Sequence, residues 1–406
     1  MKPQGARPIL IAGAGIAGLT LAIALARRGI ASQLYEQAPQ LEAFGAGLQL
    51  SPNATHILAE LGVLSCMRSQ AVQPKAVRLK DARTLRVLTS VPLGQAAERR
   101  WEAPYLVAHR ADLQQALLAE VATWAEITLT SGMRLSDISE TAEGDVRACF
   151  ESEDGRTEVA QSSLLIGADG VWSRTRQHIA GSADSRFSGQ IAWRATIMTD
   201  SDAGQAFRTM AETDCVTTFL HGDFHLVAYP LRAGAEINLV AFTPADKIAD
   251  SWATAADPAI LMRALTRGSA RLLALAGLVR WTAWPLNTVD PAASWSAPGM
   301  VLIGDAAHAV TPFAAQGAAM AIEDAALLAH SLATAAGSSE SAISAWEAQR
   351  KARLTKVARR GALNKLAWNA TGPIALARNL VLSLRSPESL AADLDWLYGW
   401  RLPQQH

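Results

Sequence analysis

Three short turns in this chain combine glycine with a carboxylate or a helix start, and each has the chemistry to hold part of an anionic nucleotide. They are Gly13-Ala-Gly15-Ile-Ala-Gly18 near the start, Gly167-Ala-Asp169-Gly170 mid-chain, and Gly304-Asp305-Ala-Ala-His308 near the end. In the first, Gly13 permits a tight turn, Gly15 lets backbone approach a pyrophosphate, and Gly18 lets helix and strand pack closely. The following helix offers free N–H groups and the positive end of its dipole to phosphate. Glu36 closes the next expected strand, where it can accept both hydroxyls of an adenosine ribose. It would also repel a 2′-phosphate, so this first site excludes NADP. The fingerprint alone fits NAD enzymes as well, and Asp169-Gly170 alone reads as an ordinary turn. The order of the three turns carries more. Asp305 follows a strand at a point where it can accept a ribityl hydroxyl. The helix opening at Gly317 can aim its first N–H groups, near Gly317 and Ala318, at the pyrimidine edge of a flavin.

These turns need elements to position them. A chain of 406 residues, half of them hydrophobic, suggests two or three domains. Residues 8–12 read as a buried strand and 17–28 as the helix after it. The uncharged run 9–26 also resembles a signal peptide or a membrane span. The glycine spacing, the Arg27-Arg28-Gly29 stop and a second strand at 31–36 favour the dinucleotide reading, in a cytoplasmic protein with no membrane span. A glycine-bearing loop at 45–53 leads into a helix over 54–61. Residues 74–93 read as two antiparallel strands, 105–121 as strand, turn and helix with Arg110 at the helix start, and 127–160 as hairpins. A buried strand at 164–166 runs into the Asp169 turn. From Phe187 to Phe242 the apolar period becomes two, with strands at 191–197, 216–220, 225–229 and 237–242. Residues 258–278 and 317–332 read as helices with a strand at 301–303 between them, and a helical tail runs from Ser341 with a turn near Gly372-Pro373.

The expected fold is therefore α/β (α+β). A discontinuous Rossmann-like nucleotide-binding domain takes 1–73, 101–180 and 282–340. An inserted, largely antiparallel substrate domain takes 74–100 and 181–281, and a helical C-terminal segment takes 341–406. Lys+Arg and Asp+Glu balance at 37 each, which argues against a nucleic-acid partner. Cys66, Cys149 and Cys215 show no metal or CxxC spacing and read as buried small apolar residues in a reducing compartment. No metal-ligand cluster and no Ser/His/Asp arrangement appears. The acid-free stretch of Arg350, Lys351, Arg353, Lys356, Arg359 and Arg360 reads as a solvated helix face. The chain is expected to be a monomer or a homodimer.

In the middle sheet, His225 and Tyr229 are four apart on one expected strand, so both fall on the same face. Taken alone they read as a sheet histidine and a core aromatic. An imidazole whose pKa lies near working pH also suits proton transfer. His221-Gly222-Asp223 reads as a turn. Arg194 reads equally as a partner for a substrate carboxylate, a neighbour of the flavin or a surface arginine. His308 reads as orienting its own turn.

Taken jointly, residues 13–18 with Glu36, 45–53, His109-Arg110-Ala-Asp-Leu113, 167–174 and 304–324 resemble the single-component FAD-dependent aromatic hydroxylases, the group A flavoprotein monooxygenases. The likeness is strongest to the branch with salicylate, 3-hydroxybenzoate and 6-hydroxynicotinate hydroxylases, and it covers the chain to about residue 350. It implies FAD, NADH or NADPH as reductant, O2 as co-substrate, and a phenolic or hydroxypyridine substrate hydroxylated through a flavin C4a-hydroperoxide. The cofactor set becomes Gly13, Gly15, Gly18, Glu36, Gly47, Leu48, Arg110, Asp169, Asp305, Gly317 and Ala318. Relatives use a His and a Tyr at the spacing of His225 and Tyr229 in their substrate pocket. His225 is thus expected to hydrogen-bond or deprotonate the phenol, and Tyr229 to orient the ring. Some relatives carry a catalytic histidine at the position of Gln49, whose amide cannot act as a base, so Gln49 is expected to line the pocket or to bond within its loop. Pro312 matches a position bordering the oxygen site, and Arg194 is a further substrate candidate. An FAD oxidoreductase without oxygen insertion and a non-catalytic flavin-binding protein are the competing readings.

Overall fold

The computed structural model describes residues 7–41, 47–245, 257–335 and 338–403. The first two positions of the 45–53 loop and the extreme ends of the 1–73 and 341–406 segments lie outside them.

Six strands form the nucleotide-side sheet in the order Ser296–Ala297, Met300–Leu302, Leu165–Gly167, Ile9–Ala12, Ser32–Glu36, Ile127–Ser131. All pairs are parallel except the first. Parallel strands need both faces covered, which is why Ile9–Ala12 and Leu165–Gly167 are short, apolar and buried. The uncharged run resolves into the strand Ile9–Ala12 and the helix Ile16–Ala26, every residue of which is buried. Packing on all sides, not a lipid environment, explains its lack of charge. Among the described residues no helix is long and apolar enough to cross a membrane.

A seven-stranded sheet follows the order Thr282–Thr288, Arg186–Met198, Glu236–Pro244, His225–Leu231, Val216–Leu220, Ala76–Asp81, Val87–Pro92. It is antiparallel apart from the pairing of Val216–Leu220 with Ala76–Asp81. Its two faces differ sharply. One carries Ile191, Trp193, Ile197, Phe219, Leu226, Ile237 and Leu239, buried under the helices Asp202–Arg208, Ala259–Leu265 and Ala270–Gly277. The other, registered through Ala192↔Phe242, Arg194↔Val240, Tyr229↔Asn238 and His225↔Phe242, turns toward the nucleotide-side sheet. Period-two alternation thus places every polar candidate of this region on one face. Thr282–Thr288 hydrogen-bonds to Arg186–Met198, so this strand extends the seven-stranded sheet, although the division at residue 282 put it with the nucleotide-binding segments. The single helix expected over 258–278 splits in two, because Ser269 caps a fresh start by accepting from the Arg271 N–H.

Two further expectations fail. Cys66 is exposed, Cys149 is half-buried and only Cys215 is buried. The basic stretch lies on the long helix Ser339–Trp368, but Arg350 is only 1% exposed and Arg353 also turns inward. Three residues apart on one helix, they share a side facing Glu323 and Asp324, and those buried carboxylates require them.

Candidate active site

The three glycine turns converge. They leave the ends of adjacent parallel strands at one edge of the sheet, where open α/β sheets bind ligands. The Ala168 N–H donates to the Ala12 carbonyl at 2.8 Å, and the Ile303 N–H to the Gly167 carbonyl at 3.0 Å. Gly13 has φ +102°, and a Cβ there would sit 2.5 Å from the Ala168 carbonyl oxygen. Gly18 lies directly against the Gly13 carbonyl, and Gly304 against Ala17 and Ala321. A Cβ on Gly15 would meet nothing within 4 Å, so the helix N-terminus opens onto free space at the position expected to meet a pyrophosphate.

The side chains around this opening fit a dinucleotide. Glu36 accepts the Ala14 N–H at 2.8 Å on one oxygen and the Ala38 N–H at 2.9 Å on the other. Each oxygen keeps a lone pair for a ribose hydroxyl. Arg110 is exposed at the start of Arg110–Val121, and one turn on Gln114 donates to the Ala14 carbonyl at 3.4 Å. Asp305 is exposed on the first turn of Asp305–His308. Gly317 and Ala318 open the Gly317–Thr334 helix with N–H groups that have no partner within it. Asp169 departs from the expected set. Its carboxylate accepts from the Ser173 hydroxyl at 2.6 Å and from the Arg174 and Thr175 N–H groups at 2.8 and 3.0 Å. It caps the Thr175–His178 turn, an inward-facing role that leaves little capacity for a cofactor. Arg176 holds this turn to the third one by donating to the Ala306 carbonyl at 3.0 Å.

The polar face of the seven-stranded sheet lies against the same loops. The Gly47 N–H donates to Asn238 Oδ1 at 3.2 Å, and a Cβ on Gly47 would fall 2.5 Å from the Tyr229 ring, so only glycine allows this approach. Gln49 Oε1 accepts from the Tyr105 hydroxyl at 2.5 Å, which gives Gln49 a hydrogen-bonding role between its own strand and Tyr105. Burial holds Tyr105 and Tyr229 well above the ordinary phenol range, so both stay protonated donors. His225 stacks on Phe242 at 4.4 Å, with Phe313 at 5.0 Å and Trp368 at 5.2 Å. Its Nδ1 has no partner among the described residues. Burial alone pulls its pKa down to about 3, which overturns the expectation of a value near working pH. Among the described residues the walls are aromatic and no carboxylate faces the ring, so an imidazolium has nothing to stabilise it. Arg194 is not a surface arginine. It lies over the Trp284 ring at 5.2 Å, within electrostatic reach of Tyr229 and Arg110, and burial lowers its pKa. Pro312 begins the short turn that carries Phe313 over His225.

Similarity to known proteins agrees with this geometry. A family model for the FAD binding domain matches residues 7–361. The chain is 31% identical to the 3-hydroxybenzoate 6-hydroxylase of Polaromonas naphthalenivorans, over 97% of this chain and 96% of that protein. It belongs to the FAD-dependent aromatic hydroxylase family. It is also 33% identical to the 6-hydroxynicotinate 3-monooxygenase of Pseudomonas fluorescens, over 86% of this chain and 89% of that one. The substrate complex of a salicylate hydroxylase shares the fold at a TM-score of 0.80 with 21% identity, covering 98% of this chain and 96% of its own. FAD is accordingly the cofactor of this chain.

Behind the cofactor loops lies a buried ionic frame that the sequence reading of this flavoprotein missed. Asp324 accepts from the Gly304 N–H at 2.9 Å, contacts His308 Nε2 at 2.5 Å and accepts from Arg350 Nε at 2.6 Å. Burial alone would raise Asp324, but His308 and Arg350 hold it down to about 2. Glu323 pairs with Arg350 and Arg353, each at 2.6 Å, and accepts from Asn53 at 2.7 Å. Asn53 and Ser51 in turn reach Gln316, the residue before Gly317. This frame fixes the Gly304-Asp305 turn and the start of the Gly317 helix with one set of charges, and His308 orients its turn as expected. Tyr105, Asn238 and Trp368 were also missed. A polar residue at a buried strand position was the available signal for Asn238; nothing in the helical tail marked Trp368.

Proposed function

We propose that this chain hydroxylates a phenolic or hydroxypyridine-type aromatic, with or without a carboxylate, using NADH or NADPH and O2. The observation that carries this reading is the polar face beneath the cofactor loops. It is lined by Phe242, Phe313 and Trp368, yet His225 Nδ1 and Asn238 Nδ2 have no partner among the described residues. Buried polar atoms without partners are costly, and the hydroxyl of a ligand would complete His225 Nδ1.

Glu36, Arg110, Asp305 and the N–H groups of Gly317 and Ala318 would hold FAD, which when bound supplies hydride acceptance and oxygen activation. The neutral His225 imidazole offers a lone pair to the substrate hydroxyl. A phenolate formed beside it supplies the counter-charge that the empty box lacks, which raises the imidazole's proton affinity at the moment it is needed. Tyr229 donates to the ring substituent, and Arg194 faces a negative group on the ring. Gln49 orients Tyr105 and carries no proton. Pro312 and the aromatic walls exclude water.

The test is NADH and NADPH oxidation by the FAD-loaded chain across a panel of phenolic acids and hydroxypyridines under 18O2, with product masses recorded. We expect aromatic-stimulated oxidation and a product carrying one labelled oxygen. Hydrogen peroxide as the sole oxygen product across the panel would replace this reading with that of an oxidoreductase without oxygen insertion.

A further inference from the structure

The rings packed on the His225 imidazole come from different parts of the chain. Phe242 lies on the neighbouring strand Glu236–Pro244, and Phe313 on the turn Pro312–Ala314. Trp368 is the last residue of the long helix Ser339–Trp368. His225, Phe242 and Phe313 are 2%, 7% and 1% exposed, whereas Trp368 is half-buried. Its indole stands edge-on to the imidazole, at 63° and 5.2 Å, and 5.9 Å from the Phe313 ring. It therefore spans from His225 to solvent.

The end of this helix is fitted to the site. Gly361, Asn364, Lys365 and Trp368 follow the spacing of one helix face, and that face meets the Pro312–Ala314 turn. A Cβ on Gly361 would touch Ala314 at 3.9 Å, Asn364 donates to the Phe313 carbonyl at 2.9 Å, and Lys365 Nζ lies 5.8 Å from the Phe313 ring centre. Behind the indole, Arg378 donates to the Ala367 and Trp368 carbonyls at 2.8 and 3.3 Å. Thr371 presses on Gly222, where a Cβ would collide with it. Gly222 belongs to the turn that leads into the strand of His225, in which the His221 N–H donates to the Phe224 carbonyl at 3.0 Å. One turn thus fixes both the imidazole and the backbone behind the indole. Trp368 is held as a wall, not hung as a flap.

We propose that Trp368 sets the size of the aromatic that reaches His225, admitting one hydroxylated ring and excluding a fused second ring. The inference rests on the reading of the His225 face as the aromatic site. A ring whose hydroxyl meets His225 Nδ1 must lie among the rings already packed there. Phe242 and Phe313 are enclosed by the fold and do not yield. Deleting the indole opens apolar space of the kind that holds a ring, since a dry cavity of roughly 150 Å³ binds benzene.

Isothermal titration calorimetry of the FAD-loaded chain tests it with paired ligands: one-ring phenols and hydroxypyridines against naphthols and hydroxyquinolines. The parent should bind the one-ring member at least about tenfold more tightly, the scale on which apolar pockets discriminate by size. Trp368→Ala should abolish that ratio, and Trp368→Phe, which keeps a packed ring should alanine weaken the fold, should fall between. Leu366→Ala, exposed on the same helix, should keep the parent's ratio. A parent that binds both sets alike, Trp368 variants with the parent's ratio, or an equal shift in Leu366→Ala would each overturn the role of Trp368 and leave the hydroxylase reading standing. Binding with the expected selectivity but no labelled product under 18O2 would overturn the hydroxylase reading and keep Trp368 as the size filter.

Discussion

Around Arg350, every buried charge meets a counter-charge at hydrogen-bond distance: Glu323, Asp324, Arg350 and Arg353 are tied to one another, to His308 and to Asn53. On the sheet face that carries His225, the imidazole Nδ1 faces aromatic rings, and neither it nor Asn238 Nδ2 has a partner among the described residues. Both regions abut the same cofactor loops and both are shut off from water, yet they are built in opposite ways. A charge buried without compensation destabilises the fold strongly, so a cluster that keeps four ionised side chains dry must satisfy all of them internally. A cluster left incomplete holds only groups that tolerate it in the neutral form, such as a lowered imidazole and an amide. The first pattern marks a frame that sets loop positions. The second marks a place where a ligand completes the bonding.

Breaking the frame should have the largest effect. Arg350→Met leaves Glu323 with Arg353 and Asp324 with His308 and the Gly304 N–H as their remaining partners. Removal of one partner from a buried ion pair costs about 3–5 kcal/mol. We expect that loss in urea denaturation of the FAD-loaded protein, with weakened flavin retention, because Asp324 also holds the Gly304 N–H. A loss below about 1 kcal/mol would place the cluster among surface ion pairs in worth and remove the contrast.

Altering the incomplete site should act on chemistry and on pH dependence more than on neutral stability. His225→Phe removes an unpartnered nitrogen and keeps the ring shape, so stability at pH 7 should stay within about 1 kcal/mol of the parent. Product formation should fall about 100-fold while FAD affinity holds. The pH dependence separates the two regions. The folded state holds His225 at about 3 against 6.5 for the free side chain. The unfolded chain therefore binds the extra proton, and this contribution is complete above pH 6.5 and is lost as pH falls toward 3. Asp324 lies at about 2 against 3.8, so its contribution is complete above pH 3.8 and is lost only below that. Thermal midpoints against pH should show the His225→Phe chain flattened between pH 6.5 and 3 and parallel to the parent below. Identical profiles in that upper window would mean that His225 is already paired in solution.

The two regions also differ in how far the sequence revealed them. The convergence of the glycine turns was legible because its constraints are local: a tight turn at Gly13 and a carboxylate after a strand at Glu36 or Asp305 show as residue types at fixed spacing. His225 and Tyr229 were legible through strand alternation. The value of the His225 pKa was not, since it depends on Phe313 and Trp368, which come from elements far away in the chain. Asp169 looked like a ligand carboxylate because a cap and a ligand require the same residue after a strand. The frame was illegible for the same reason that it is strong. Glu323 and Asp324 sit on an alanine-rich helix and Arg350 in a basic run, and each alone is an ordinary surface pattern. Only the packing of Gly317–Thr334 against Ser339–Trp368 shows that they meet.

Asn238 stands between the two patterns, and its substitution should give the smallest of these effects. Its Oδ1 accepts from the Gly47 N–H, as a frame residue would, while its Nδ2 is unpartnered, as a site residue would be. Asn238→Leu should remove the first bond at a cost of about 1 kcal/mol in unfolding free energy. If the second group serves the ligand, apparent affinity for the aromatic that stimulates NAD(P)H oxidation should also fall about tenfold, which corresponds to one lost hydrogen bond of about 1.4 kcal/mol. A variant that loses the stability but keeps the affinity would assign Asn238 to the frame, and would confine the incomplete site to His225 and the residues stacked around it.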